Sequence, residues 1–168
     1  MRISSRISSM IVAVCALILV SACTTTEITA NKAFEGDSRE NLEITQVTVE
    51  ALPASEATPT IVSALKTAVQ KQLAEKAISG DPTRLEMTIS FVKILSKGER
   101  ALLGALAGAN QLNVTATVIS QSDEQTLAEF EILGAHNPAA FGAFSDQEVS
   151  TAESVAKSLM EEIYGKEQ

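Results

Sequence analysis

The sequence predicts an α+β domain in which two helices cover one face of a four-stranded, mainly antiparallel sheet, in the order β-α-β-β-β-α. Two segments carry apolar residues at helical spacing, and four others alternate apolar and polar residues. A short polar turn joins the last two of these strands as a hairpin. Because every element has one mostly apolar side, packing both helices on the same face of the sheet would bury all of these sides.

The helices are predicted from their first residues and from their apolar stripes. Thr58-Pro59 is typical of a helix start, and Gly80 is the expected C-cap. The second helix is expected to begin in a capping box, Ser145 to Glu148, and to end at Gly165. The stripes are Ile61, Leu65, Val69, Leu73 and Ala77 in the first helix, and Val149, Ala152, Ala156, Leu159 and Ile163 in the second.

The four predicted strands alternate in polarity, with two changes of phase. The first strand, within 41–52, slips at Gln46, which indicates a β-bulge. The inward residues are expected to be Leu85, Met87, Ile89 and Phe91 in the second strand, Leu112, Val114, Ala116 and Val118 in the third, and Ala128, Phe130 and Ile132 in the fourth. The second face of the sheet, expected to be partly wet, would carry Thr115, Thr117, Glu129 and Glu131. Residues in the opposite phase would make that face a candidate docking surface: Val47, Val49, Val92 and Ile94.

The first 22 residues have the order of a secretory signal peptide. Arg2 and Arg6 precede eleven apolar residues, 10–20, and Ser21-Ala22 come directly before Cys23. Eleven helical residues cover only about half of the hydrocarbon core of a bilayer, so this stretch is a poor permanent span. An ordinary cleavage site followed by an ordinary cysteine is the alternative to a lipid-attachment site.

Leu19-Val20-Ser21-Ala22-Cys23 resembles the lipobox of bacterial lipoproteins. The resemblance implies cleavage after Ala22 and a diacylglycerol on the thiol of Cys23. The acyl chains would then anchor the protein to a membrane of the bacterial cell envelope. Because Thr24 rather than aspartate follows the cysteine, the resemblance implies sorting to the outer membrane, facing the periplasm.

The mature chain is expected to be a single acidic domain behind a tether. Removal of the signal peptide discards Cys15 and takes the formal net charge from −8 to −10, because Arg2 and Arg6 are lost. An acidic surface repels phosphate backbones, so a nucleic-acid partner is not expected. The polar residues 23–40 are expected to be a lipidated N-terminus and flexible tether, and residues 41–165 the single domain.

An unusual segment, Lys97 to Ala109, reads KGERALLGALAGA and precedes the hairpin. With that hairpin it resembles a widespread family of uncharacterised bacterial lipoprotein domains, which has a basic Gly-x-Arg element before a glycine-rich apolar stretch. The resemblance covers Thr58 to Ile163 and implies the fold class and the location, but no catalytic residue. Arg100, Gly104 and Gly108 are the candidate interaction residues. The segment suits close helix packing, a membrane-touching insert, a loop folded onto the sheet, or a packed connector.

Catalytic chemistry has little support in the sequence. His136 is the one histidine of the chain, and the mature chain has no cysteine besides Cys23, so neither a metal site nor another cofactor is expected. Glu129 and Glu131 share a strand face, a spacing that a solvated strand also produces. The sequence favours a non-catalytic envelope lipoprotein that binds or assembles with another protein. A self-associating membrane component and a carboxylate-based hydrolase of envelope glycans are the alternatives.

Overall fold

The computed structural model describes residues 25–39, 41–76, 78–96, 98–99, 108–136 and 146–165. A short 3-10 helix, Gly36–Arg39, follows the first strand. The strands and helices are β1 (Thr25–Lys32), β2 (Leu42–Ala51), α1 (Pro59–Ala74), β3 (Asp81–Lys93), β4 (Asn110–Ser120), β5 (Thr126–His136) and α2 (Gln147–Tyr164).

The sheet has five strands in the order β1-β5-β4-β3-β2, and it is mixed. β2 and β3 are parallel, whereas the three other pairs are antiparallel. The predicted four-stranded, mainly antiparallel sheet is therefore wrong in strand number and in type. A helix between two neighbouring strands returns the chain to the starting end of the first strand, which is the connection that parallel pairing requires. The expected hairpin of the last two strands is confirmed as β4 and β5.

The fifth strand, β1, comes from the segment that the sequence predicted to be a flexible tether. It pairs along its length with β5, and Ile28 lies opposite Ile132. The 3-10 helix is fastened to the domain as well, because Arg39 Nε donates a hydrogen bond of 2.9 Å to the carbonyl oxygen of Ile163 in α2. Between them, the ring of Phe34 lies 6.0 Å from that of Phe130. Residues 25–39 therefore belong to the folded domain.

Two β-bulges determine which side chains face the helices. The predicted bulge at Gln46 is confirmed by a register shift between Ile44 and Gln46. A second register shift, between Ile89 and Phe91, accounts for the other change of phase, in which Val92 and Ile94 depart from the alternation of β3. Each bulge changes the phase of the side chains that follow it, so apolar residues of both phases reach the core.

The expected docking surface of four apolar side chains is consequently wrong. Val47 and Val92 are only 8% and 5% exposed and belong to the core, while Val49 and Ile94 are partly buried against it. Phe91, expected to point inward, is 40% exposed instead. The bulge that turns Val92 inward also turns Phe91 outward.

The first helix begins where the sequence predicted, but it ends early. Thr58 Oγ1 accepts a hydrogen bond of 3.2 Å from the backbone N–H of Ile61 and caps α1. The helix ends at Ala74, so Gly80 is not its C-cap. Gly80 instead permits a close backbone approach, since a Cβ there would lie 2.5 Å from the carbonyl oxygen of Asn41.

The second helix ends as predicted, but its N-cap is Asp146 and not the first residue of the predicted capping box, Ser145. The Asp146 carboxylate accepts hydrogen bonds from the N–H groups of Glu148 and Val149. Gly165 ends the helix with a φ of +86°, a conformation that favours glycine. An aspartate at the N-cap also interacts favourably with the positive end of the helix dipole.

The helices lie side by side on one face of the sheet, and both begin at the same end of it. Thr58 Oγ1 of the first cap donates a hydrogen bond of 2.9 Å to Glu148 Oε1 in the first turn of α2. β1 and β4 begin at this end and β2, β3 and β5 finish there, as their pairing requires. We call it the Thr25 end, and the opposite one, with the turn 121–125, the hairpin end.

Candidate interaction surface

No described element covers the sheet face that is turned away from the helices, and we call this face the open face. Strand pairing places its side chains in rows that cross the sheet. One row joins Thr88, Thr115 and Glu131, and the next joins Glu86, Thr117 and Glu129. These side chains are exposed or half-buried, so the expectation of a partly wet second face is confirmed.

The carboxylates of Glu129 and Glu131 project from this face, as their spacing predicted. Glu129 Oε1 accepts a hydrogen bond of 3.1 Å from Asn31 Nδ2 on the edge strand β1. Glu131 is exposed and lies opposite Thr29. Among the described residues, no group of three or more metal-ligating side chains is close enough to hold an ion.

Exposed large apolar side chains gather toward the Thr25 end. Those found in the described part of the chain are Leu52, Phe91 and Leu133, with exposed fractions of 48%, 40% and 41%. Phe91 and Leu133 belong to one row of the open face, on either side of Asn113. Their backbones are thus two strand spacings apart, about 9.5 Å.

Leu52 lies at the same end because it directly follows β2, and its N–H donates a hydrogen bond of 2.9 Å to the carbonyl oxygen of Ile89. Phe91 is two residues from the end of β3. Leu133 is three residues from the end of β5. One end of an otherwise polar face thus carries apolar surface that no described element covers.

The hairpin end, in contrast, is charged and internally paired. The Arg84 guanidinium lies 2.8 Å from Glu86 and 2.5 Å from Glu124, and hydrogen bonds to both carboxylates raise its pKa. In the turn, the Ser120 hydroxyl and the N–H of Gln125 lower the pKa of Asp123. These ion pairs are solvent-exposed, so each contributes little to stability.

A buried polar network ties β4 to α2 at the Thr25 end. Asn110 is fully buried, and its Nδ2 donates to Gln147 Oε1 at 3.1 Å and to Thr151 Oγ1 at 3.3 Å. Its Oδ1 accepts a hydrogen bond of 3.0 Å from the N–H of Leu95. The Asn110 side chain therefore connects Leu95, which precedes the unusual segment 97–109, to the strand that follows this segment and to α2.

The outer sides of the two helices form a groove of about 630 Å³. It is broad and polar, and Lys157 Nζ lies 3.9 Å from Glu161 in one of its walls. Half-buried His136, at the end of β5, also lines the groove. The described residues that line the groove are Ala68, Lys71, Gln72, His136, Ser150, Glu153, Ser154, Lys157, Ser158 and Glu161.

The residues that the sequence proposed for attachment and interaction fall mostly outside the described chain. Ala22, Cys23, Arg100 and Gly104 all lie beyond it. Gly108 is described and has a φ of +87°, a backbone conformation that favours glycine. No helix within the described residues is long and apolar enough to cross a membrane.

The fold and the open face define the chain as an α+β domain with a five-stranded mixed sheet covered by helices on one side. It is similar to the PelC dodecamer from Paraburkholderia phytofirmans, at 12% identity and a TM-score of 0.53 over 86% of this chain and 100% of the other. At this identity the likeness supports a shared fold alone.

Two further structural neighbours have lower scores. A Xanthomonas campestris protein of the DUF330 family is 13% identical with a TM-score of 0.45, covering 82% of this chain and 94% of its own. A candidate lipoprotein from Caulobacter crescentus is 11% identical with a TM-score of 0.39, covering 69% and 87%. No protein-family model matches the sequence, and the comparison with curated proteins finds no match.

Proposed function

We propose that this chain is a lipid-anchored protein of the bacterial cell envelope, and that its domain is a non-catalytic module that binds or assembles with another protein. The observation that carries the anchor is the signal-like segment that ends in small residues directly before Cys23. The acyl chains attached there would hold the protein to the membrane, since each buried methylene contributes about 0.8 kcal/mol.

Substitution of the cysteine tests the anchor. In cells fed labelled palmitate, the wild-type chain should incorporate label and sediment with membranes. The Cys23→Ser chain should lose the label and accumulate as an uncleaved precursor. Cys15→Ser is the matched control, because this second cysteine lies inside the apolar stretch and should be dispensable. Labelling of the Cys23→Ser chain at the wild-type level would refute the proposal.

Thr24 supports sorting to the outer membrane, where the domain would face the periplasm. The resemblance to bacterial lipoproteins makes the residue after the cysteine the sorting signal. Thr24→Asp should therefore move the protein to the inner-membrane fraction of a density gradient, whereas Thr24→Ser should not. An unchanged distribution of the Thr24→Asp chain would contradict this part of the proposal.

The open face supports a docking role. Its threonine and glutamate rows are accessible, and two of the glutamates already make contacts within the domain. Glu86 pairs with Arg84, and Glu129 accepts a hydrogen bond from Asn31. The threonine side chains of these rows are therefore the better candidates for contact with a partner.

Photo-crosslinking in intact cells tests docking on this face. A benzophenone amino acid at Thr115 or Thr117 should give a discrete protein adduct. The same amino acid at Lys66, exposed on the outer side of α1, is the control and should give none. Recovery of no protein from either sheet position would contradict the docking role.

Self-association is the second candidate, and the fold similarity to a PelC dodecamer favours it. β1 and β2 are the edges of the sheet, and each leaves backbone groups that a second copy could pair with. Light scattering of the detergent-solubilised mature protein should then give a multiple of the monomer mass. A strict monomer at all concentrations would exclude this candidate.

A further inference from the structure

The geometry points to the Thr25 end of the sheet as a surface that contacts lipid, with Leu133 and Phe91 resting in the membrane interface. This inference rests on the proposed anchor at Cys23 and deepens it, because it gives the domain an orientation. Three features of the molecule support this orientation: the short connection to Cys23, the position of the exposed apolar side chains, and the charges around them.

The connection between the anchor and the fold is very short. β1 begins at Thr25, two residues after Cys23, and it is paired with β5 from its first residue. Two extended residues span at most about 7 Å. A lipid on Cys23 would therefore hold the Thr25 end against the membrane, instead of leaving the domain on a long tether.

The exposed apolar side chains lie within reach of that membrane. Leu133 is opposite Glu27, which is four residues, or at most about 14 Å, from Cys23. Phe91 is in the same row, and Leu52 is also near this end. Apolar side chains of interfacial proteins enter the boundary between headgroups and acyl chains by about 5–10 Å. Leu133 and Phe91, exposed and this close to the anchored end of the chain, are therefore suited to contact a lipid surface.

Charges at this end indicate which lipids would be contacted. Among the residues that the structure describes at this end, Glu27 and Glu50 of the open face and Glu148 and Asp146 at the start of α2 are carboxylates, whereas Lys93 is basic. An excess of carboxylates disfavours an anionic surface. The contact would therefore be apolar, with zwitterionic headgroups around it, and insensitive to salt.

A fluorescent label on a single cysteine tests the orientation. The probe system is the lipidated mature protein, starting at Cys23, in phosphatidylcholine vesicles that contain spin-labelled lipid. Cleavage removes Cys15 and lipidation blocks the thiol of Cys23, so an introduced cysteine is the one free thiol. Leu133→Cys and Phe91→Cys report on the Thr25 end. Ser122→Cys, exposed in the turn at the hairpin end, is the matched control.

The expected result is several-fold stronger quenching by spin-labelled lipid at Leu133→Cys and Phe91→Cys than at Ser122→Cys, with weaker quenching by iodide. Equal lipid quenching at both ends, in a protein whose Cys23 is lipidated, would overturn the orientation and leave the proposed function intact. Shielding from iodide without lipid quenching would mean that a protein covers the site, and would overturn it too.

Failure of the anchor itself has a separate readout. Mass spectrometry that finds an unmodified Cys23, in protein that does not bind the vesicles, would refute the proposed function and this inference together. If either labelled variant unfolds, as circular dichroism would show, Leu52→Cys reports on the same end. Its side chain is the most exposed of the three, so the fold should tolerate its replacement.

Discussion

At the scale of single residues, a buried amide holds together the part of the chain that the sequence marked as unusual. Asn110 satisfies the N–H of Leu95 before the segment, and it bonds two side chains of α2 after the hairpin. A buried polar group that loses its partner costs the full price of desolvation. This role could not be predicted from the sequence, because an asparagine in a glycine-containing stretch is also typical of a turn.

Replacement of this amide should be costly. Asn110→Ala leaves the N–H of Leu95 and the side chains of Gln147 and Thr151 without this partner, so we expect a loss of about 2–4 kcal/mol in the free energy of unfolding. Urea denaturation measures it. Asn113→Ala, on the same strand but on the half-buried open face, is the control and should change stability by less than about 0.5 kcal/mol. Equal effects of the two substitutions would contradict the network.

Tyr164 gives a direct report on packing at the end of α2. Its hydroxyl accepts a hydrogen bond of 3.4 Å from the N–H of Ile44, and burial raises its pKa from 10.0 to about 12. It is the one tyrosine, and the chain has no tryptophan, so the ultraviolet absorbance of tyrosinate reports this group alone. In the folded protein the absorbance should titrate near pH 12, and in urea near pH 10.

The same shift makes stability depend on pH. Burial favours the neutral phenol, so its contribution is fully present below pH 10 and is lost as the pH rises toward 12. Tyr164→Phe should therefore lose stability less steeply across this window than the wild-type chain does. Identical pH profiles for the two chains, or a folded-state pKa near 10, would contradict the burial of the phenol.

At the scale of elements, the sequence predicted those with a strong apolar pattern and missed the one without it. The start of α1, the end of α2, the Gln46 bulge and the β4–β5 hairpin are confirmed. β1 was missed because only Ile28 and Ala30 of its eight residues are apolar. An edge strand is held mainly by backbone hydrogen bonds to its neighbour, and those leave no mark in the hydropathy of its own sequence.

The role of β1 in the fold can be measured with one substitution. Ile28 is partly buried against the core, so Ile28→Ala should reduce the free energy of unfolding by about 1–2 kcal/mol. Thr29→Ala changes an exposed neighbour on the same strand and is the control. Thermal or urea denaturation measures both. If Ile28→Ala and the wild-type chain had the same free energy of unfolding, β1 would not be part of the folded domain, and the interpretation of this segment as a flexible tether would be correct.

The open face shows why a candidate site was harder to predict than the fold. Alternation alone placed Phe91 in the core and Val92 outside, and one β-bulge reversed both positions. The change of phase at Val92 was visible in the sequence, but the assignment of Phe91 to the core did not take into account that the bulge comes before it. The proposed lipid contact of Phe91 and Leu133 became visible only once the register was known.

At the scale of the whole molecule, the anchor and the fold form one arrangement. The strand that begins two residues after Cys23 is built into the sheet, and the exposed apolar side chains lie near its start. A lipid on Cys23 would hold the domain directly on the membrane. The threonine and glutamate rows of the open face would then lie next to the membrane surface and be accessible to a partner. The signal segment predicted the anchor from sequence, whereas the orientation required the strand order.

The central claim is that the mature protein begins with a lipidated Cys23. Mass spectrometry of protein extracted from bacterial membranes tests it most directly. We expect an N-terminal peptide that starts at Cys23 and carries a diacylglyceryl group on sulfur. An N-terminus at any other residue, or an unmodified Cys23 in protein that stays with the membrane, would contradict the account.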